Sequence, residues 1–131
     1  MIGDACHPTL PHMAQGAAQA IEDGAVLGVV LAKLPDTSPG AINKALQVYE
    51  KVRMERAYAI VEMAAANGRS MHLGEGAAKE ERDRAFAAMK SAEGKKASPD
   101  KWADAEIQKI VYGEDVWRTA EERFGEIFAK L

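Results

Sequence analysis

The sequence predicts an all-α chain of about five helices with a non-helical N-terminal segment, and three observations predict it. Alanine supplies 25 of the 131 residues, and Ala is the strongest helix former. Apolar residues recur three and four apart over long stretches, as one face of a helix requires. No stretch of useful length alternates apolar and polar residues as a half-buried strand does, and no solenoid-type repeat is present. At 131 residues the chain has the length of one domain, a single helical region over 1–131.

Residues 1–13 are turn-rich, because Gly3-Asp4, Pro8 and Pro11 all resist regular structure. A first helix is expected over 14–34, ended by Pro35-Asp36. Ala18, Ile21, Ala25, Leu27, Val29, Val30 and Leu31 cover more than one of its faces, so it reads as buried. Gly24 and Gly28 fall on one stripe of that helix, at a cost of up to ~1 kcal/mol each relative to Ala. A close-packed neighbouring backbone would compensate. Ser38-Pro39 has the form of an N-cap followed by proline at the first helical position. The second helix is expected over 39–67, with Ile42, Leu46, Tyr49, Val52, Ala57, Ile60 and Ala64 at helical spacing and Asn67-Gly68 as its stop.

Residues 69–76 read as a loop. A polar, Ala-rich third helix follows over 77–90, with Phe86 and Met89 as its main packing residues. Residues 94–97 form a break, and Ser98-Pro99-Asp100 can start a short helix carrying Trp102, Ile107, Ile110 and Val111. Tyr112-Gly113-Glu114-Asp115 is a turn. A last helix over 115–129 offers Trp117, Phe124, Ile127 and Phe128 for packing.

Hydrophobic residues make up 47% of the chain and charged residues 28%, an ordinary globular balance, but aromatics are only 6% and much of the apolar fraction is methyl groups. The core is therefore thin, and a partner surface is expected. The formal charge of −3 lacks the basic field of a nucleic-acid binder. Cys6 is the only cysteine, which excludes an internal disulfide and a multi-cysteine zinc site and fits a reduced, cytoplasmic compartment. No apolar run reaches the ~18 residues of a membrane span, and the first residues lack a signal-peptide pattern.

The chemistry-bearing segment is Gly3-Asp4-Ala5-Cys6-His7-Pro8-Thr9-Leu10-Pro11-His12-Met13-Ala14-Gln15-Gly16-Ala17, running on to Gly28. It places a carboxylate on a tight turn, then a proline-stiffened loop, then the start of a long helix. A helix start offers unpaired N–H groups and a positive dipole end, which suit an anion or a polarised carbonyl. Gly16 admits a flat or bulky ligand close to the backbone. The Asp4 carboxylate can accept hydrogen bonds from sugar-like hydroxyls.

This string resembles the C-terminal flavin-binding motif of the FAD-dependent aromatic hydroxylases, in particular the salicylate-hydroxylase-like branch and its fungal members. Tyr49-x-x-x-Arg53-x-x-Arg56, Ser98-Pro99-Asp100-Lys101-Trp102 and Tyr112-Gly113 are also similar to that branch. The resemblance implies that Asp4 binds the ribityl chain of FAD, with Gly3 shaping its turn, and that Pro11 lies beside the isoalloxazine ring. It also implies that Gln15, Gly16 and Ala17 present backbone N–H groups to the pyrimidine end, where reduced flavin gathers negative charge. Ala14 stands where many relatives carry Gly, which fits a backbone with negative φ there.

The family's Gly-rich G-x-G-x-x-G loop, which holds the FAD pyrophosphate on a βαβ unit, has no counterpart in these 131 residues. The chain thus reads as a C-terminal piece of an α/β FAD-binding monooxygenase fold, with 1–34 as the second flavin motif and its helix, and 35–131 as C-terminal helices. In the parent activity NAD(P)H reduces the flavin, O2 forms a flavin hydroperoxide and an aromatic substrate is hydroxylated. The isolated chain is expected to bind FAD weakly or not at all and to be inactive. The alternative is a non-catalytic helical assembly module derived from that family. Either way a homo-oligomer is expected, because Ile21, Leu27, Val30 and Leu31 would otherwise lie partly open.

Other constellations point elsewhere. His7 and His12 lack a carboxylate pair or thiol cluster at ligand spacing, so no metal site is expected. Cys6 has no nucleophile pattern around it and reads as a small turn residue. Glu22 and Asp23, about 100° apart on a helix, read as helix-capping or salt-bridge residues rather than an acid/base pair. Tyr49, Arg53 and Arg56 share one side of the second helix and could bracket a cofactor-side carboxylate, but solvated or ion-paired arginines are the more common case. The methionines read as packing residues.

Overall fold

The computed structural model describes residues 1–91 and 102–131. Two single-turn 3-10 helices, Gly3–Ala5 and Pro11–Met13, precede five α-helices: α1 over Gly16–Ala32, α2 over Pro39–Met71, α3 over Ala77–Ser91, α4 over Ala105–Tyr112 and α5 over Val116–Ala129. No strand is present among the described residues, so the all-α expectation is met.

The helix starts follow from local chemistry. Ser38 Oγ accepts from the amide of Ala41 at 3.2 Å, with Pro39 at the first helical position. Asp104 Oδ1 accepts from Glu106 and Ile107, and Asp115 Oδ1 from Arg118. The expected start of α4 at Ser98-Pro99-Asp100 lies outside the described residues; the observed cap is Asp104, so Trp102 sits before the helix instead of on it.

Two boundaries differ from expectation. Helix α1 begins at Gly16 rather than Ala14, because Ala14 is left-handed (φ 50°, ψ 33°) and interrupts any helical path. The negative φ expected for Ala14 is thereby corrected. Helix α2 runs through the expected stop at Asn67-Gly68 to Met71. Its last carbonyls have other partners: the amide and ring Nδ1 of His72 both meet Gly68 O, and Arg82 Nη1 of α3 donates to Ser70 O and Met71 O, each at 3.1 Å.

The main core is formed by Val26, Val29 and Val30 of α1, Ala45, Val48 and Val52 of α2, and Ala120 and Phe124 of α5. A second cluster joins Met13, Ile60, Ala64 and Val111, and seats the second 3-10 turn on α2. Valine burial of this kind is worth roughly 1.5–3 kcal/mol per side chain. Val30 is thus fully buried and Leu27 packs against the core, whereas Ile21 is 73% and Leu31 40% exposed. Gly24 and Gly28 are exposed, and a Cβ at either would meet nothing within 4 Å. The close neighbour expected along that stripe is not supplied by the described residues of this chain.

Candidate functional site

The N-terminal turn is held by a buried carboxylate. Gly3 adopts φ +58°, so the turn closes tightly, with the amides of Cys6 and His7 both donating to Gly3 O at 3.0 Å. The amide of Gly3 donates to Asp23 Oδ2 at 2.8 Å, and His7 Nε2 meets the same oxygen at 2.7 Å. The other oxygen, Oδ1, accepts from Arg53 Nε at 2.8 Å. Arg53 also donates to Glu22 Oε2 and to the main-chain and side-chain oxygens of Gln19. Arg56 grips Glu22 through both carboxylate oxygens and donates to Ile110 O and Val111 O, the carbonyls at the end of α4.

The electrostatics follow. Burial pushes the Asp23 carboxyl upward, but the Gly3 amide, Arg53 and His7 outweigh it and hold it below the usual carboxylate range. Glu22 is likewise raised by burial and brought below its ordinary value by Arg56 and Arg53. The Tyr49 phenol is pushed up, by burial first and then by the negative charge of Asp23.

Of the residues singled out from the sequence, the clamp holds Gly3 directly. Gly3 is buried, with its missing Cβ directed at Ala20 Cβ, 3.5 Å away. Asp4 is exposed, and its Oδ1 lies 4.0 Å from where a Cβ on Gly16 would be. Gln15 is buried at the N-cap without a capping side-chain bond. The first α1 bond is Gln19 N to Gln15 O at 2.9 Å, so the amides of Gly16, Ala17 and Ala18 precede the intrahelical ladder. Asp4 thus lies beside Gly16 at the start of α1, where Ala17 follows. Pro11 stands apart on the second turn, exposed, and is linked to that start through the bond from Ala14 N to Pro11 O at 3.1 Å.

The sequence reading did not single out His7, Gln19 or Asn67 as partners in this arrangement. The available signal was the burial-prone position of Asp23 within an apolar helix, which demands partners. Cys6, His7 and Asp23 bring a thiol, an imidazole and a carboxylate within 4.8 Å of one another. Both Asp23 oxygens are already engaged by Arg53, Gly3 and His7, so a cation there would have to displace those bonds. A separate open groove of about 610 Å³ lies between α2, α4 and α5, lined by Arg56, Ile60, Lys109, Ile110 and Arg123 among others, and includes no residue of the N-terminal loop.

Comparison with known proteins gives the arrangement a context. The family described as FAD binding domain matches residues 1–64. The chain is 37% identical over 121 residues to the FAD-dependent monooxygenase OpS4 of Beauveria bassiana (strain ARSEF 2860), covering 92% of this chain and 27% of that protein. It is 54% identical over 59 residues to 6-hydroxynicotinate 3-monooxygenase of Pseudomonas fluorescens, covering 44% and 14%. It is 39% identical over 83 residues to 3-amino-4-hydroxybenzoate 2-monooxygenase of Streptomyces cremeus, covering 63% and 20%. The chain spans about a quarter or less of the length of these relatives.

Proposed function

We propose, from the match of residues 1–64 to the family described as FAD binding domain, that the chain supplies the ribityl-side and ring-side part of an FAD site in an FAD-dependent monooxygenase acting on an aromatic substrate. Gly3, Asp4, Pro11, Gln15, Gly16 and Ala17 are its flavin-facing residues. The observation that carries this reading is the meeting of the exposed Asp4 carboxylate with Gly16 at a helix start whose first amides lie outside the ladder. The donor set fits the group: a carboxylate accepts from ribityl hydroxyls, and helix-start amides donate to the flavin's pyrimidine oxygens. Bound FAD supplies redox chemistry with NAD(P)H and O2; the protein's own residues orient it and stabilise charge.

On this reading residues 1–34 are the flavin motif with its helix, and 35–131 form the helical backing that holds it. No G-x-G-x-x-G stands in these residues, so the pyrophosphate contributes nothing here, and the chain by itself binds flavin weakly and lacks hydroxylase activity. FMN and FAD should therefore bind alike, at millimolar concentration, shifting the amide NMR signals of Asp4, Gly16 and Ala17. Asp4→Ala should weaken both. Absence of any flavin-dependent shift at Gly16 and Ala17 would overturn the proposal.

A second reading, an assembly module, is favoured by one observation. Ala17, Ile21, Gly24, Gly28 and Leu31 form an exposed apolar stripe along α1. That stripe suits close contact with a second copy, giving a homo-oligomer. No helix among the described residues is long and apolar enough to cross a membrane, and the lone cysteine is in keeping with a cytoplasmic protein.

A further inference from the structure

The second 3-10 turn, Pro11–Met13, is tied to the far end of α2 by three contacts. Asn67 Nδ2 donates to His12 O at 2.7 Å. The His12 ring lies against Gly68 so closely that a Cβ there would overlap it. Met13 is buried with Ile60 and Ala64 of the same helix. Asn67 is almost fully buried, yet its Oδ1 has no hydrogen-bond partner among the described residues. A buried acceptor left unpaired costs free energy that an apolar side chain would not. The amide thus carries the cost of an unpaired Oδ1 while its Nδ2 both satisfies the His12 carbonyl and fixes where it lies.

We infer that Asn67 and Gly68 are positioning residues that set the Pro11 turn, and with it the ring-side wall of the flavin site. Neither lies within residues 1–64, the part matched by the family. The inference rests on the flavin reading above. The mechanism is geometric. Pro11 O accepts from Ala14 N, Ala14 is left-handed, and Gln15 follows as the α1 N-cap. The orientation of Pro11 relative to the Gly16 and Ala17 amides is therefore set by where His12 is pinned. The Asp4 turn has its own clamp on Asp23 and should be indifferent to Asn67.

The test uses FMN titrated into the full chain, followed by amide NMR and visible absorbance. Asn67→Leu removes the tether together with its unpaired acceptor, and Gly68→Ala pushes the His12 ring off its seat. Both variants should keep the wild-type helical circular dichroism and the Asp4 amide position, and shift the His12, Met13 and Ala14 amides. Both should weaken FMN binding about tenfold, the order of one lost hydrogen bond, with a changed visible difference spectrum. If Gly68→Ala fails to fold, Asn67→Leu decides alone. Wild-type affinity and spectrum in folded Asn67→Leu overturns the positioning role while leaving the flavin reading in place. A wild-type chain with no FMN response at Gly16 and Ala17 overturns both.

Discussion

Asp23 of α1 and Arg53 of α2 form a buried ion pair, Oδ1 to Nε at 2.8 Å, and the same carboxylate holds the amide of Gly3 through its other oxygen. The turn that presents Asp4 is thus fastened to the helix pair by one side chain. Removing a partner from a buried pair leaves an uncompensated charge, at a cost of about 3–5 kcal/mol. Arg53→Ala should lose that much stability in urea denaturation. Arg53→Lys should recover little of it, because an ammonium cannot serve Asp23, Glu22 and Gln19 in the planar fork that Arg53 uses.

Acid should unfold the chain through Asp23 and Glu22. Both have native pKa values below their ordinary ones. Their stabilisation is fully present above the unfolded carboxylate range of about 4 and is lost as pH falls through the lowered native values, where the unfolded state binds protons first. Melting temperature should be level from pH 7 to about 5 and fall steeply below about 4. Asp23→Asn should flatten the acid limb while lowering the plateau.

Ala14→Gly should stabilise the chain. An L-residue at φ 50° carries strain of roughly 1–2 kcal/mol, and the greater freedom of Gly in the unfolded chain offsets about 0.4–1 kcal/mol of the relief. A net gain of about 0.5–1 kcal/mol is expected by denaturant titration. A loss would mean that Ala14 makes a contact that outweighs its strain.

Sedimentation equilibrium over a tenfold concentration range should show self-association of the chain through the exposed stripe of α1. Ile21→Asp should abolish it with little change in the melt, because Ile21 is 73% exposed. Leu27→Asp is expected instead to unfold the monomer, since Leu27 packs against the valine core.

The helices were legible because they rest on local signals: spacing, the Ser38-Pro39 cap and the Tyr112-Gly113 break. The approach of Asp4 to Gly16 is not local in this sense, because the bond from the Gly3 amide to Asp23, 20 residues away, seats the Asp4 turn on α1. Illegible were features set by distant residues. Gly68 signals a stop in isolation, but here the helix continues, because Arg82 and His72 satisfy its last carbonyls and His12 occupies the space of its side chain. Val30 and Ile21 are both apolar in sequence; the placement of α2 and α5 decides that one is core and the other surface.

Arg56 donates four hydrogen bonds, two to Glu22 and two to the last carbonyls of α4, thereby joining segments 34 and 54 residues away from it in the chain. Opening α4 strips Arg56 of half its partners and loosens Glu22 on α1, so α1, α2 and α4 should exchange their amide protons together, at a rate set by global unfolding. Helix α3 has no fully buried side chain among those described and is tied to α2 through Arg82. Its amides should exchange earlier, as a separate unit that opens while the rest of the molecule stays closed.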